Sequence, residues 1–473
     1  MFSKPRKDFT DGPIFFRITL FALPVMLTGI LQILYGMADN IVVGRFSGDI
    51  YALGAVGSTT SLTNLTLHLL LGLSVGSSVV AAQAFGAKRE REVSRTAHTA
   101  MTAAVFGGIL FCIIGLLISR PALTLMGTKP ELIESAVLYF RIICLGIPAS
   151  AIYNFGAALL RAVGDSKTPL IILSTSGLLN VFANLFFVLA CGMSVEGVAI
   201  ATILSQYVSA TAVTLVLFHR GKKGECYGLA LKKYCFDTSL FKKILRFGVP
   251  AGIQSSMFGI SNVLLTSGIN TFTPAVVKAY TISANIDALT YTVCSAFATA
   301  TMTFVAQNYG AQKLSRIKRT LIFAIIQTTV AGLLVGLIEY IFVDQISLLY
   351  LDVTDPAREE ILYHVKEITS LLLFTYFLCG IMEVISATVR ALGYAFSAML
   401  ISIGGICVLR TVWVFFVFPL EAFNTPGGLL TSYPVTWSTT ALCHFILFLY
   451  AWHKVKKRLA TKKDGELKLE AIK

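Results

Sequence analysis

Charged residues are scarce in this chain. Asp, Glu, Lys and Arg together make 14% of its 473 residues, against about a quarter in an ordinary soluble domain. Hydrophobic residues make 55% and the mean hydropathy is +0.75; a soluble protein of this size could not hide that much apolar surface. Enzyme signatures are missing too. The loops hold no HExxH, GxSxG, P-loop, DxxxD pair or His/Asp/Glu cluster, so nothing in them points to catalysis. The nine cysteines form no CxxC, and the six histidines make no ligand spacing with them. That leaves small buried hydrophobes as the reading of the cysteines, rather than disulfides or zinc. The opening MFSKPRKDF runs straight into a long apolar stretch without a small-residue cleavage site, so no cleavable signal peptide is expected.

What the chain has instead is apolar runs of about 20 residues, each enough to cross roughly 30 Å of hydrocarbon. Twelve are expected, at 14–43, 51–85, 96–119, 132–158, 168–191, 195–218, 245–271, 277–308, 319–343, 361–388, 396–418 and 432–452. The formal charge of +14 is not a nucleic-acid signal. The N-terminal tail, the loops after even-numbered spans and the C-terminal tail hold about 31 of the 39 Lys and Arg, the asymmetry that places both ends in the cytoplasm. The basic loop Arg220–Arg246 and the tail Lys454–Lys473 also suit contact with anionic lipid.

An internal repeat organises these spans. FALP at 21–24 returns as FGVP at 247–250, AQAFGA at 82–87 as AQNYGA at 306–311, and RAVG at 161–164 as RALG at 390–393; FFV follows at 186–188 and again at 415–417. Each half therefore holds six spans. An even number returns the chain to its starting side, so the expected fold is all-α and integral to the membrane. Its twelve helices form two six-helix lobes related by a pseudo-two-fold axis along the membrane normal. The first lobe is 1–218, the basic cytoplasmic linker 219–243, the second lobe 244–453 and the basic cytoplasmic tail 454–473. Gly86 and Gly310 suit the left-handed residue after a helix C-terminus. Arg161 and Arg390 sit where the fourth and tenth spans meet the cytoplasm, and suit topology better than a gate.

The first span holds the most telling polar group. Leu23–Gly48 carries one proline, Pro24, near its start and one carboxylate, Asp39, near its end. A charge at membrane depth costs about 3 kcal/mol on insertion scales, and Thr28, Gln32 and Tyr35 extend a polar stripe from it at helical spacing. Pro24 removes a backbone hydrogen bond and weakens the helix there. An ion- or proton-gated helix and an interfacial Asp that merely ends a span both fit these residues. Elsewhere Asn180 and Asn184 share a face, as do Thr202 and Gln206, and Asn64 and His68. Polar groups on four spans converge only inside a bundle, because lipid would leave them unpaired. For Asn64 and His68, helix–helix hydrogen bonding fits as well as a cavity wall. In the second lobe Asp287, Glu383 and Arg410 are intramembrane; a structural Glu383–Arg410 pair is the economical expectation. Glu196 and Glu339 fall at outer ends of spans, where water would meet them.

The proline-led first span ending in MADNIVVGRFSG, the QxxGA segments and the RAxG turns resemble the multidrug and toxic compound extrusion (MATE) family over about 14–452. The resemblance implies a twelve-helix antiporter, and not an enzyme, that expels organic cations and other drugs against H+ or Na+. Asp39 matches the family's first-helix acid. Where members often carry Asn-x-x-x-Asp on the fifth helix, this chain has Asn180 and Asn184; Thr202 matches a Thr of some members. The seventh- and tenth-helix acids of other branches fall near Phe258 and Cys379, so that second site is missing here.

The expectation is thus a plasma-membrane efflux antiporter, monomeric, working by alternating access. Asp39, Asn180, Asn184 and Thr202 carry coupling, Gln32, Tyr35, Asn64 and Gln206 line the cavity, and Pro24 is the hinge. No cofactor and no metal beyond Na+ at Asp39 is expected; the partners are small-molecule drugs or toxic organic cations and the lipid bilayer, not nucleic acid. The 33 Phe and 10 Met suit adaptable walls for flat, lipophilic cations. A lipid-linked oligosaccharide flippase of related fold would want several basic cavity residues, and an integral membrane enzyme a catalytic cluster.

Overall fold

The computed structural model describes residues 8–46, 51–230, 235–351 and 356–470. Ser47 and Gly48 of the first-span motif, linker residues 231–234 and the end of the tail, 471–473, lie outside them. All regular structure among the described residues is helical. Nine long helices come first: α1 (Ile14–Phe46), α2 (Ala52–Gly86), α3 (Glu90–Leu125), α4 (Pro130–Ala162), α5 (Lys167–Leu185), α6 (Val195–Lys222), α7 (Thr238–Ile269), α8 (Pro274–Gly310) and α9 (Leu314–Ile341). After the short α10 (Val343–Ser347), α11 (Arg358–Leu373) and α12 (Tyr376–Ala391) together make one crossing. The next is α13 (Ala395–Ser402) and α14 (Leu409–Val412) with π-helical turns at 403–408 and 413–417, and α15 (Pro426–Leu430) leads into α16 (Ser432–Glu470).

Among the described residues eleven helical stretches are long and apolar enough to span a membrane, and they account for every expected span but the one at 245–271. That one is α7, 32 residues long. Its buried Gln254, Ser256 and Ser261 and its exposed Asn262 and Thr266 dilute an otherwise apolar run. The protein is an all-α, twelve-span membrane protein.

Two compact units emerge, and their bounds differ from the lobes drawn along the sequence. One contains Leu27–Ser256; the other combines Phe9–Met26 with the chain from Met257 on. The first unit is built round α4, which packs on α2, α3 and α6. Its buried Ala149, Ala151, Ala157 and Ala158 let neighbouring backbones come close, which is how helices associate where lipid removes the hydrophobic driving force. The second unit is built round α12, packed on α8, α9 and α16. Both central helices end in the repeated RAxG segment, with Gly164 and Gly393 in the left-handed region at φ 89° and 106°. The repeated FFV also recurs as structure: both copies lie in π-helical turns, at 186–190 and 413–417.

The QxxGA segments behave differently from the expectation. Gly86 and Gly310 are the last helical residues, and the left-handed positions are Lys88 (φ 57°) and Gln312 (φ 60°). The helix persists through the glycine because the cap closes later, with Arg89 N–H on Ala84 O and Lys313 N–H on Asn308 O. The second copy has a further task. Gln307 Oε1 accepts from Phe9 N–H at 3.0 Å, while Asn308 and Arg316 donate to Phe9 O. The Phe9 ring stacks on Phe304 at 3.9 Å. Residues just before α1 are thereby clamped onto the second unit. In the linker, Leu229 N–H donates to Leu217 O and His98 Nε2 meets Ala230, while burial pushes the Tyr227 phenol above its ordinary range.

Within the first unit α2 crosses the start of α7 at glycines, where a Cβ on Gly72 would run into the backbone of Gly252. Gly72→Leu is expected to cost about 1–3 kcal/mol of stability through overpacking. The readout is the thermal midpoint of the purified protein in detergent. Gly36→Leu on α1, where nothing lies within 4 Å of an added Cβ, is the control expected to leave the midpoint in place.

Candidate functional site

The stripe on α1 is pinned to α5 by Tyr35. Its ring lies across Gly177, where any side chain would overlap it, and its hydroxyl donates to Ser174 O at 3.2 Å. One turn further along α1, Asp39 meets Asn184, one residue short of the end of α5. Asn184 Nδ2 donates to Asp39 Oδ1 at 2.5 Å and reaches Asn180 Oδ1 at 3.5 Å. Asn180 Nδ2 donates to Thr202 Oγ1 on α6 at 3.4 Å. Thr202 gives its own proton to Val198 O. The structure thus brings Asp39, Asn180, Asn184 and Thr202 together from three helices.

Asp39 is half-buried, whereas Asn180 and Asn184 are 5% and 0% exposed. Asn184 Oδ1 is buried with no hydrogen-bond partner. The cluster therefore offers one carboxylate and three neutral oxygens, one of them unsatisfied, in a bundle that excludes lipid. Two kinds of guest suit such a set: a proton on the carboxylate, or a small hard cation that prefers oxygen ligands. Desolvation opposes the charged carboxylate, and the Asn184 amide donor favours it.

The other candidates are dispersed. Thr28 is buried, Gln32 and Asn64 are exposed, and His68 is half-buried. Gln206 Oε1 is buried without a partner and lies over Gly146 of α4, away from the Asp39 network. Pro24 falls inside α1 among the residues grouped with the second unit, two positions before the unit boundary.

In the second unit the Glu383–Arg410 pair does not form. Glu383 pairs with Arg390 on its own helix, 3.7 Å apart; seven residues are two turns, so the two lie on one face. Arg410 instead donates to Ser261 Oγ (3.2 Å) and Asn262 Oδ1 (2.9 Å), with its guanidinium 4.4 Å from the Tyr433 ring centroid. Glu339 also departs from expectation. It is 4% exposed and accepts from Thr290 Oγ1 at 2.6 Å, because the end of α9 is covered by the end of α11 and by α8. Asp287, half-buried, lies one turn before Thr290 on α8. Thr290 and Tyr433 were not singled out in the sequence, since a lone Thr or Tyr in a span carries no signal of its partner.

A double-mutant cycle checks the revised pairing. Glu383→Gln should lower stability by about 2 kcal/mol, the value of a hydrogen bond to a charged group. Its effect should be non-additive with Arg390→Met and additive with Arg410→Met. Coupling to Arg410 in place of Arg390 would reinstate the pairing expected from sequence.

The MatE family pattern matches residues 24–186 and 250–416. A probable multidrug resistance protein of Bacillus subtilis (strain 168), YoeA, is 29% identical over 445 residues, covering 92% of this chain and 94% of that protein. A probable multidrug resistance protein NorM of Thermotoga maritima is 27% identical over 398 residues, 82% of each chain. Among solved structures, an outward-facing multidrug resistance MATE family transporter of the MOP superfamily superposes with a TM-score of 0.87 at 22% identity, covering 96% of this chain and 100% of that one.

Proposed function

The chain belongs to the MatE family, and from that premise we propose that it is a drug-efflux antiporter, exchanging lipophilic or cationic compounds for protons by alternating access. It is a transporter and not an enzyme. One observation carries the coupling half of this reading: the single carboxylate of Asp39, held by Asn184 beside Asn180 and Thr202, with an unsatisfied oxygen next to it. The drug half is supported by the multidrug resistance names of the relatives and by a composition rich in Phe and Met, whose adaptable apolar surfaces suit flat cations.

The choice of proton over Na+ follows from the ligand set. Na+ could be held by Asp39 with the Asn and Thr oxygens, since oxygen ligands suit hard cations. The fifth helix, however, supplies Asn184, an amide, so only one negative charge offsets the ion. A proton needs one carboxylate only. In the charged state Asp39 accepts from Asn184; protonation removes the charge and weakens that bond. Released from it, α1 bends at Pro24, whose missing N–H leaves the helix weakest there, and the bend closes the space a drug occupied. The distribution of Lys and Arg supports a plasma-membrane protein with both ends in the cytoplasm; we take the working unit as a monomer.

Efflux of ethidium from proteoliposomes under separately imposed H+ and Na+ gradients tests this. Asp39→Asn is expected to abolish gradient-driven efflux while leaving folded yield unchanged. Pro24→Ala should slow turnover more than it weakens drug binding. Full efflux by Asp39→Asn would overturn the mechanism. Efflux driven by Na+ alone at fixed pH would keep the site and change the ion.

A further inference from the structure

Arg410 is an unexpected residue in a protein proposed to export cations. It is 2% exposed in the middle of a membrane crossing, and a guanidinium stays charged there because it cannot be deprotonated in a protein. All its close partners are neutral: the Ser261 hydroxyl, the Asn262 amide oxygen and the face of Tyr433. Its Nε is buried with no acceptor. Of the intramembrane acids of this unit, Glu383 is held by Arg390 and Glu339 by Thr290, while Asp287 lies a turn before Thr290 on α8; among the described residues no carboxylate lies within ion-pair distance of Arg410. A buried charge without a counter-ion is worse for stability than an apolar residue of the same volume, so an intramembrane cation kept in that state has a use other than packing.

The surroundings indicate what that use is. Asn262 is exposed while the arginine it accepts from is not, so its side chain is the exposed member of the guanidinium's three neutral partners. Its amide oxygen sits where an oxygen of a ligand would sit. Arg410 also occupies the four-residue α14 between two π-helical turns. Such wide turns interrupt a helix and recur at functional sites. A planar guanidinium fork matches a carboxylate better than any other common group, and the Tyr433 ring, itself 5.1 Å from Trp437, provides an aromatic wall.

We propose that the second unit carries an oxyanion subsite at Arg410, in which the carboxylate of an aromatic substrate replaces Asn262 Oδ1 on the guanidinium while its ring lies along Tyr433. The substrates would then include zwitterions, cationic at one end and carboxylate at the other. This deepens the efflux reading and rests on it for its physiological meaning. It is tested by binding alone, with no gradient, so that failure of coupling and failure of the subsite are separate results.

The probes are rhodamine 110, which has a free carboxylate, and rhodamine 123, its methyl ester, titrated by fluorescence anisotropy onto the purified full-length protein in detergent. The native protein should bind the acid about tenfold more tightly than the ester. Arg410→Gln should erase that preference. Asn262→Asp should erase it as well, because it installs an internal carboxylate on the guanidinium. Since it also supplies the missing counter-ion, that variant keeps the test available if Arg410→Gln fails to fold. Equal binding of the two dyes by the native protein, binding of neither, or an unchanged preference in Asn262→Asp would overturn the proposal.

Discussion

A polar group inside hydrocarbon has no water to fall back on, and nearly every informative feature of this protein follows from that constraint. Side chains differ in how they meet it. The hydroxyls of Thr66, Thr175 and Thr281 each donate to the carbonyl four residues back on their own helix, so they need no neighbour and mark no site. Asn, Asp, Glu and Arg have more donors or acceptors than one turn of helix can use. They reach across: Asp39 to Asn184, Glu339 to Thr290, Arg410 to Ser261 and Asn262. These long-range bonds fix which helices stand together, and they leave unsatisfied atoms at the places where a guest can enter.

The two units repeat their scaffold more faithfully than their chemistry. Left-handed caps at Lys88 and Gln312, glycine turns at Gly164 and Gly393, and π-helical turns over both FFV segments recur at nearly constant spacing. Polar interiors do not recur. The first unit gathers one acid with two amides and a hydroxyl. The second holds a glutamate on a threonine, a glutamate on an arginine of its own helix, and a guanidinium among neutral oxygens and a ring. Backbone turns are kept because the packing of a whole helix hangs on them, whereas a buried side chain can be exchanged for another that is equally well satisfied.

How far the sequence could be read follows from the same division. Span positions, the repeat and the polar stripe of α1 are periodic signals, and periodicity survives without knowledge of any partner. Asn180 and Asn184 could be placed on one face for that reason. Pairings between distant helices carry no such signature. Glu383 had two arginines within plausible reach, and only the packing of α14 against α7 decides that Arg410 turns to Ser261 and Asn262. The burial of Glu339 was equally illegible, since the end of a span looks like an interface until α8 and α11 are seen to cover it. The late left-handed turn at Lys88 was hidden because glycine is the usual choice there, and here the chain places it two residues early.

One further consequence lies in the way the units are composed. Residues 9–26 belong with the second unit although they open the first half of the sequence, and the start of α7 up to Ser256 belongs with the first although it opens the second half. Each half of the chain thus completes the other with its leading segment, as in a domain-swapped dimer whose two copies have been fused. A single six-span half folded in this manner would present an unfilled groove and an unhoused arm at once. Cutting the chain at the linker would therefore part each unit from one of its own helical segments, and the covalent link keeps both exchanged segments in one molecule.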